Sequence, residues 1–491
     1  MRFSARAERR FGGTLALALV LAFLAPVAGA RDAVEGKWLG TAGVPGNTAT
    51  LGLEIRRDAR GALGGALYLD AINYYGAPLP SFQATADGHY QVPELGLELA
   101  LDGERLHGTL GGIAPVELHR SRTLPADPPL PARLPQGPGP RWRAQLGAPI
   151  WATAAVHDHV AYVGTSGGIL HAVDLADGRL RWTFAAGRPI FGEALVTEDA
   201  VYFVCDNGFL FRLDRGSGQE KWRYDLGDGR VARVLPHPAV FDYDHEAPAP
   251  VLADGLVYVG AGDGGFHAVN AATGARAWSI QAPGKIRATA AIQGDLVALG
   301  TLDGWVMALD RASGNERWRR DVKGAVTSGL AFIGDRLVIG TRGSLLAALD
   351  PATGETRWKQ SFWGSWVEST AVAGDDGLAY VGSSDLRRVT AFDPVDGRIA
   401  WRTDVFGWSW GAPLLTPRSV IVATSGVSPY EIRHVAALAA LDRRTGKLRW
   451  RWPVREPPGA MYWGFAAGAA LDGDTLVVGG LDGTLYGFAA D

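Results

Sequence analysis

The stretch "LVYVGAGDGGFHAVNAATGARAW", residues 256–278, holds the reading of the whole chain. It begins with a short apolar run, "LVYVG", of strand composition. An Asp–Gly pair at 263–264 follows, suited to a two-residue hairpin that needs positive φ. A second apolar run, "FHAVN", leads to a polar turn and then to a strand closed by Trp278. The same phrase returns as "AALDPATGETRW" at 347–358, as "AVDLADGRLRW" ending at Trp182 and as "ALDRRTGKLRW" ending at Trp450. In the 347–358 copy, Asp350 is placed to accept from backbone amides of the following turn, and Gly354 to supply a positive φ. Trp358 then falls on an outer strand, where its ring can dock against a neighbouring unit. The phrase reads as architecture rather than catalysis.

Working outward, tryptophans close successive units at Trp142, Trp182, Trp222, Trp278, Trp318, Trp358, Trp401 and Trp450. Their spacings are 40, 40, 56, 40, 40, 43 and 49 residues. A strand-rich period near 40 is the signature of propeller blades. The last unit, "AALDGDTLVVGGLDGTLYGFAAD", stops at Asp491 without a Trp strand, and "RWRAQL" at 141–146 has no unit before it. Joining the two completes one blade from both chain ends and makes eight. The expected fold class is therefore all-β: an eight-bladed propeller over 141–491, closed by N- and C-terminal strands.

This repeat closely resembles the pyrroloquinoline-quinone-type (quinoprotein-like) propeller repeat, and the resemblance covers 141–491. It implies the fold directly and function only weakly. The family includes quinoprotein alcohol and glucose dehydrogenases and the non-catalytic propeller BamB of outer-membrane β-barrel assembly. The resemblance implies, for the alcohol dehydrogenases, a quinone stacked between a Trp and a vicinal disulfide. Cys205 is the single cysteine here, so that disulfide cannot form. No recognisable Ca²⁺-ligand set, G-x-S-x-G elbow or H-E-x-x-H helix occurs.

Ahead of the repeats, "LPADPPLPARLPQGPGP" at 124–140 carries seven prolines and reads as a linker. Residues 31–123 read as a small β domain, with "GKW-LG" at 36–40, "GGALYLD" at 64–70, "YYGAPLP" at 74–80, "LHGTL" at 106–110 and "PVELHR" at 115–120. These motifs resemble the small β domain preceding some secreted α/β-hydrolases. No hydrolase domain follows, so no enzymatic role carries over. Residues 1–30 combine Arg2, Arg6, Arg9 and Arg10, the apolar run "TLALALVLAFLAPV" and "AGA", and read as a cleavable secretory signal without a lipid-anchor cysteine. The expected location is periplasmic or secreted, with no membrane insertion of the mature chain. The formal net charge of −3 offers no footprint for nucleic acid.

Two small polar clusters stand out. "HPAVFDYDHEAP" at 237–248 holds His237, Asp242, Asp244, His245 and Glu246, a dense donor set read here as a solvated polar loop rather than an ion site. "HDH" at 157–159 lies in a tight turn and reads as surface polarity. No metal, cofactor or catalytic residue is assigned.

The segments linking blades, aligned, place Trp151, Phe191, Arg287, Trp366, Glu368, Trp408, Trp410, Tyr462 and Trp463 around the start of the inner strands. The two large departures from the period, near 225–248 and at "TSGVSPYEIRH" (424–434), fall on the same face. Loops that vary over a rigid scaffold collect binding sites. An aromatic funnel with Arg and Glu suits a protein, peptide or saccharide partner. The leading expectation is a non-catalytic binding or scaffold protein, with a role in envelope or outer-membrane protein assembly implied by the likeness to BamB. The alternative is a quinoprotein-like oxidoreductase that binds pyrroloquinoline quinone.

Overall fold

The structure, a computed structural model, describes residues 33–490 apart from 45–46, 80, 113, 130–133, 234–243 and 431. The expected signal at 1–30 lies outside the described residues, as do His237 and Asp242.

Among the described residues, seven Trp-ended units fold as four-stranded antiparallel sheets in simple chain order, and an eighth four-stranded sheet joins the first and last strands of the repeat region. Numbered along the chain, blades 1 to 7 occupy 155–185, 195–225, 251–281, 291–321, 331–361, 372–404 and 414–453. Blade 8 takes Ala470–Asp472, Thr475–Gly479 and Thr484–Ala489, and its outer strand is Trp142–Gln145. Trp142 pairs with Gly487 and Gln145 with Thr484, so the first and last propeller strands close the ring by backbone hydrogen bonds. Closure removes the free sheet edges that an open ring would expose.

The repeated phrase works between blades. Asp350 accepts from the amides of Ala352 (2.9 Å) and Thr353 (3.0 Å), and Gly354 adopts φ 70°. The Trp318 indole of blade 4 donates to the Pro351 carbonyl of blade 5 at 2.7 Å. A Cβ on Gly354 would stand 2.5 Å from that indole, so glycine serves both the backbone angle and the ring's approach. The same bond runs from Trp142 to Leu175, Trp182 to Arg215, Trp222 to Ala271, Trp278 to Arg311, Trp358 to Pro394 and Trp401 to Arg443. Burying each ring between blades contributes roughly 2–3 kcal/mol from area alone. Apolar clusters fill the seams: Val306, Ala308 and Trp318 of blade 4 meet Leu337, Ile339 and Ala347 of blade 5.

The junction of blades 7 and 8 differs, because the outer strand of blade 8 is Trp142–Gln145 and no phrase turn leads into it from Thr484–Ala489. The proline-rich stretch supplies its replacement. Gln136 forms a parallel bridge with Arg451; Gly137 donates to the Arg451 carbonyl at 2.7 Å, and Arg451 donates to the Pro135 carbonyl at 2.9 Å. Gly137 then lies against Trp450, where a Cβ would meet the ring at 2.5 Å. The end of the expected linker is therefore an added edge of blade 7.

The N-terminal region is a nine-stranded antiparallel sheet. Its order runs from Tyr74–Pro78 through Leu63–Leu69, Asn47–Arg57, Gly36–Val44, Ala114–Arg120, Arg105–Leu110, Leu97–Asp102 and His89–Val92 to Gln83–Ala84. Only residues 79–82 join the two edge strands, a reach of roughly 17 Å at full extension. Nine flat strands would span far more, so the sheet must curl until its edges approach. Trp38, Leu51, Leu53, Leu106 and Leu118 fill the inside of the curl.

That core is continuous with blades 5 and 6 through Ile72, Phe362 and Trp363. Asn47 fixes the seam. Its Oδ1 accepts from Trp363 Nε1 (3.1 Å) and Arg402 Nη1 (2.8 Å), and its Nδ2 donates to Gln360 Oε1 (3.3 Å) and the Ser361 carbonyl (3.2 Å). Asn73 donates to the Asp385 carbonyl (3.1 Å) and accepts from Arg387 (2.7 Å).

Candidate functional site: the funnel of the loop-rich face

The middle hairpins of the blades bond to the blade-linking segments: Ser166 N donates to Pro149 O, Asp206 N to Pro189 O, Leu302 N to Lys285 O and Ser384 N to Trp366 O. Links and middle hairpins thus share one face. The Asp–Gly phrase turns bond instead to the first turn of each blade, as Leu175 N does to His159 O, and share the other. Asn73 makes its contacts in the middle hairpin of blade 6 and Asn47 bonds to Trp363 in the link entering that blade, so the N-terminal sheet stands on the rim of the loop-rich face.

Register assigns the funnel residues to rings. Ala155, Leu195, Val251, Ala291, Ala331, Val372, Leu414 and Ala470 hold equivalent pairings at the start of the inner strands. Four positions earlier stand Trp151, Phe191, Ala247, Arg287, Thr327, Glu368, Trp410 and Ala466, an upper ring. Five of the nine residues singled out from sequence share it. Two positions deeper stand Thr153, Glu193, Ala249, Thr289, Gly329, Thr370, Ala412 and Gly468. Here side chains reach from blade to blade around the axis: Gly468 N donates to Thr153 Oγ1 (3.1 Å) and Ala249 N to Thr289 Oγ1 (2.9 Å). Glu193 is the one charged member. It is open to solvent in the channel, yet protein surrounds it, and that desolvation pushes its carboxyl up to about 7.

The insert before blade 3 enters this funnel. Asp244 is 1% exposed and accepts from Arg287 Nε at 2.7 Å. Arg233 donates to the carbonyls of Asp244 (2.9 Å) and Glu246 (2.6 Å), pairs with Asp206, and lies 4.6 Å over the Phe191 ring. His245 stacks on Trp151 with ring centroids 3.6 Å apart and planes 5° apart; Phe191 and Tyr462 present their edges to it. Burial, reinforced by Arg233 and Arg342, lowers the His245 imidazole to about 3 and keeps it neutral. Glu246 moves the other way: burial and then the Glu368 charge raise its carboxyl well above the carboxylate range. Glu368 is held by Arg342 at 2.6 Å, and the same guanidinium lies 4.3 Å over Trp366.

The segment expected as a solvated loop is therefore, over 244–246, the charged and aromatic hub of the funnel. Sequence reading also passed over Glu193, Arg233 and Arg342. Their one available signal was position: Glu193 stands where the other links carry Thr, Ala or Gly.

The remaining residues gather to one side. Trp408 stacks on Trp410 at 4.8 Å and meets Tyr430 and His434. Trp408 Nε1 (2.7 Å) and the Tyr430 hydroxyl (3.0 Å) both donate to Asp385. The long hairpin at 424–434 folds back so that Ser425–Val427 pairs with Tyr462–Gly464, placing Trp463 opposite Gly426. The nine residues thus form a central group and a lateral one rather than a single open bowl.

On the opposite face, His157, Asp158 and Glu198 have the mutual spacing of metal ligands. The Arg215 guanidinium already sits among them, 3.0 Å from His157 Nδ1 and 3.1 Å from Asp158. Cys205 is buried, and burial pushes its thiol up to about 11, so it packs as a small apolar side chain. The quinone arrangement implied by the resemblance does not fit the funnel residues described. His245 covers the Trp151 face, Trp408 and Trp410 cover each other, and the three carboxylates Glu193, Glu246 and Glu368 do not converge as a ligand set.

Fold and repeat together define a quinoprotein-like β-propeller with a curled sheet on its rim. The family model described as outer membrane protein assembly factor BamB matches residues 138–241, 240–304, 302–461 and 361–491, and the chain belongs to that family. Among solved structures, the quinohemoprotein alcohol dehydrogenase from Comamonas testosteroni is 17% identical with a TM-score of 0.55, over 72% of this chain and 76% of that one. The computationally designed Ika8 protein is 17% identical with a TM-score of 0.54, over 72% of this chain and 100% of that one. BamB from Moraxella catarrhalis is 20% identical with a TM-score of 0.48, over 66% of this chain and 87% of that one. At these identities the likeness to the first two of these structures speaks for the fold alone. No curated protein matches the sequence. Among the described residues no helix is long and apolar enough to cross a membrane.

Proposed function

We propose that this protein is a non-catalytic binding or scaffold component, exported to the periplasm or beyond, that receives partners on its loop-rich face and serves envelope or outer-membrane protein assembly. The observation that carries this reading is the state of the funnel's chemistry-bearing groups. Asp244, Arg287, Arg233, Glu368 and Arg342 are spent on one another, and His245 is kept neutral in an aromatic stack. Such a set fixes a shape and a charge pattern and, among the described residues, sets no nucleophile beside a base. The half-buried Trp366 and Trp410 are among the aromatic edges that face a partner. Membership of the BamB family supports the assembly role, and the reading of residues 1–30 supports export.

The test is a pull-down from envelope extract with the full chain and with a Trp366→Ala/Trp410→Ala variant. Loss of the captured proteins in the variant is expected; equal recovery overturns the assignment of this face. The quinoprotein alternative is checked on the same preparation by adding pyrroloquinoline quinone and Ca²⁺. Appearance of cofactor absorbance together with dye-linked alcohol oxidation would replace the scaffold reading with an enzymatic one.

A further inference from the structure

The N-terminal sheet carries a second site, independent of the funnel. Strands His89–Val92, Leu97–Asp102 and Arg105–Leu110 lie side by side, and alternate residues point outward. Tyr90, Val92, Leu97 and Leu99 face the core. On the outer side, His89, Ala100 and His107 form one cross-strand row, and Gln91, Glu98 and Thr109 the next. Ala100, with its single methyl between two imidazole-bearing neighbours, leaves a dip. A cavity of about 430 Å³ opens there, lined by these strands and by Thr85 and Asp87 of the turn before His89. That size falls within the range of ligand pockets.

Three polar side chains at this dip are uncommitted, whereas those around them are not. Glu117 on the neighbouring strand is bonded to Arg105 at 2.8 Å and lies 3.5 Å from His119. Ser81 is bonded to Glu94, and His89 is paired with Asp87 at 3.0 Å. The side chains of Gln91, Glu98 and Thr109 make no hydrogen bond or ion pair with any described residue. Three adjacent strands, about 4.8 Å apart, therefore offer an amide, a carboxylate and a hydroxyl side by side. Such a row of donors and acceptors suits the run of hydroxyls that a sugar ring presents. Asp87 and Glu98 disfavour an anion. The donors do not converge on a point as metal ligands do, since the one group of that kind among the described residues is elsewhere.

We propose that this face binds a neutral saccharide. Glu98 accepts from ring hydroxyls, Gln91 both donates and accepts, and the flat imidazoles of His89 and His107 border the sugar.

The test uses the full chain in saturation-transfer NMR with millimolar cellobiose and, separately, N,N′-diacetylchitobiose. Transfer to at least one of the two is expected, falling about five-fold or more in a Gln91→Ala/Glu98→Ala variant. Both substitutions are on the outer face, and an unchanged Tm verifies that the fold is kept. The Trp366→Ala/Trp410→Ala variant keeps the signal, which separates this site from the funnel. No transfer from either sugar, or equal transfer in the Gln91/Glu98 variant, overturns the proposal.

Discussion

Single residues in this protein are placed by what surrounds them more than by their type. His171, His245 and His434 are neutral because burial lowers them to about 4, 3 and 3; Arg233 and Arg342 add to the effect at His245, and Arg387 at His434. The unfolded chain binds a proton at each near pH 6.5 and the folded chain does not, so stability is lost as pH falls below 6.5. Glu193 works in the reverse sense. Its folded carboxyl titrates near 7, above its ordinary 4.5, so its contribution declines as pH rises through that window and is level above it. Replacing His434, which is 8% exposed, by Phe should flatten the acid limb. Wild type should lose about 2 kcal/mol more than the variant between pH 6.5 and 5, by the linkage of proton binding to folding. Urea unfolding at both pH values measures this, and parallel losses would disprove it.

At the scale of elements, the same inter-blade latch is built seven times from the phrase and once from the linker. Gly137 does for Trp450 what Gly354 does for Trp318, with steric approach alone as the reason, since its φ is not positive. Gly137→Ala should cost about 1–3 kcal/mol, the usual range for overpacking. Gly139→Ala is the control: the nearest atom to its Cβ is 4.0 Å away, and no change is expected. Equal chemical-denaturation midpoints for the two variants would show that the linker takes no part in closure. The reading of 124–140 as a plain linker was incomplete because the proline content announces an extended chain, while the parallel bridge to Arg451 depends on a strand some 300 residues away.

For the whole molecule, the consequential feature is that the N-terminal sheet stands on the rim of the loop-rich face. Asn47 spends all of its side-chain hydrogen-bonding capacity on that seam. Asn47→Ala would leave the Trp363 indole N–H without its acceptor in a buried setting and remove a bond from Arg402. A loss of about 2–4 kcal/mol at the interface is expected, from two such orphaned donors. Small-angle scattering should report a larger radius of gyration, with the propeller still folded. An unchanged radius and unchanged protease resistance of the 121–141 region would contradict the docking described here.

The amino-acid sequence by itself determined the blade count, the Trp latch and the closure by 141–146, because each is a local pattern repeated at a fixed period. It also brought five residues to one ring, since aligned links share a register. What only the tertiary structure decided was contact between segments far apart in the chain. His245 against Trp151, Glu246 beside Glu368, Gly137 against Trp450 and Asn47 against Trp363 have no periodic signature. A repeat fixes where each strand lies, but which of the variable segments fill the axis and the rim follows from burial and hydrogen-bond satisfaction in three dimensions, to which sequence spacing carries no metric.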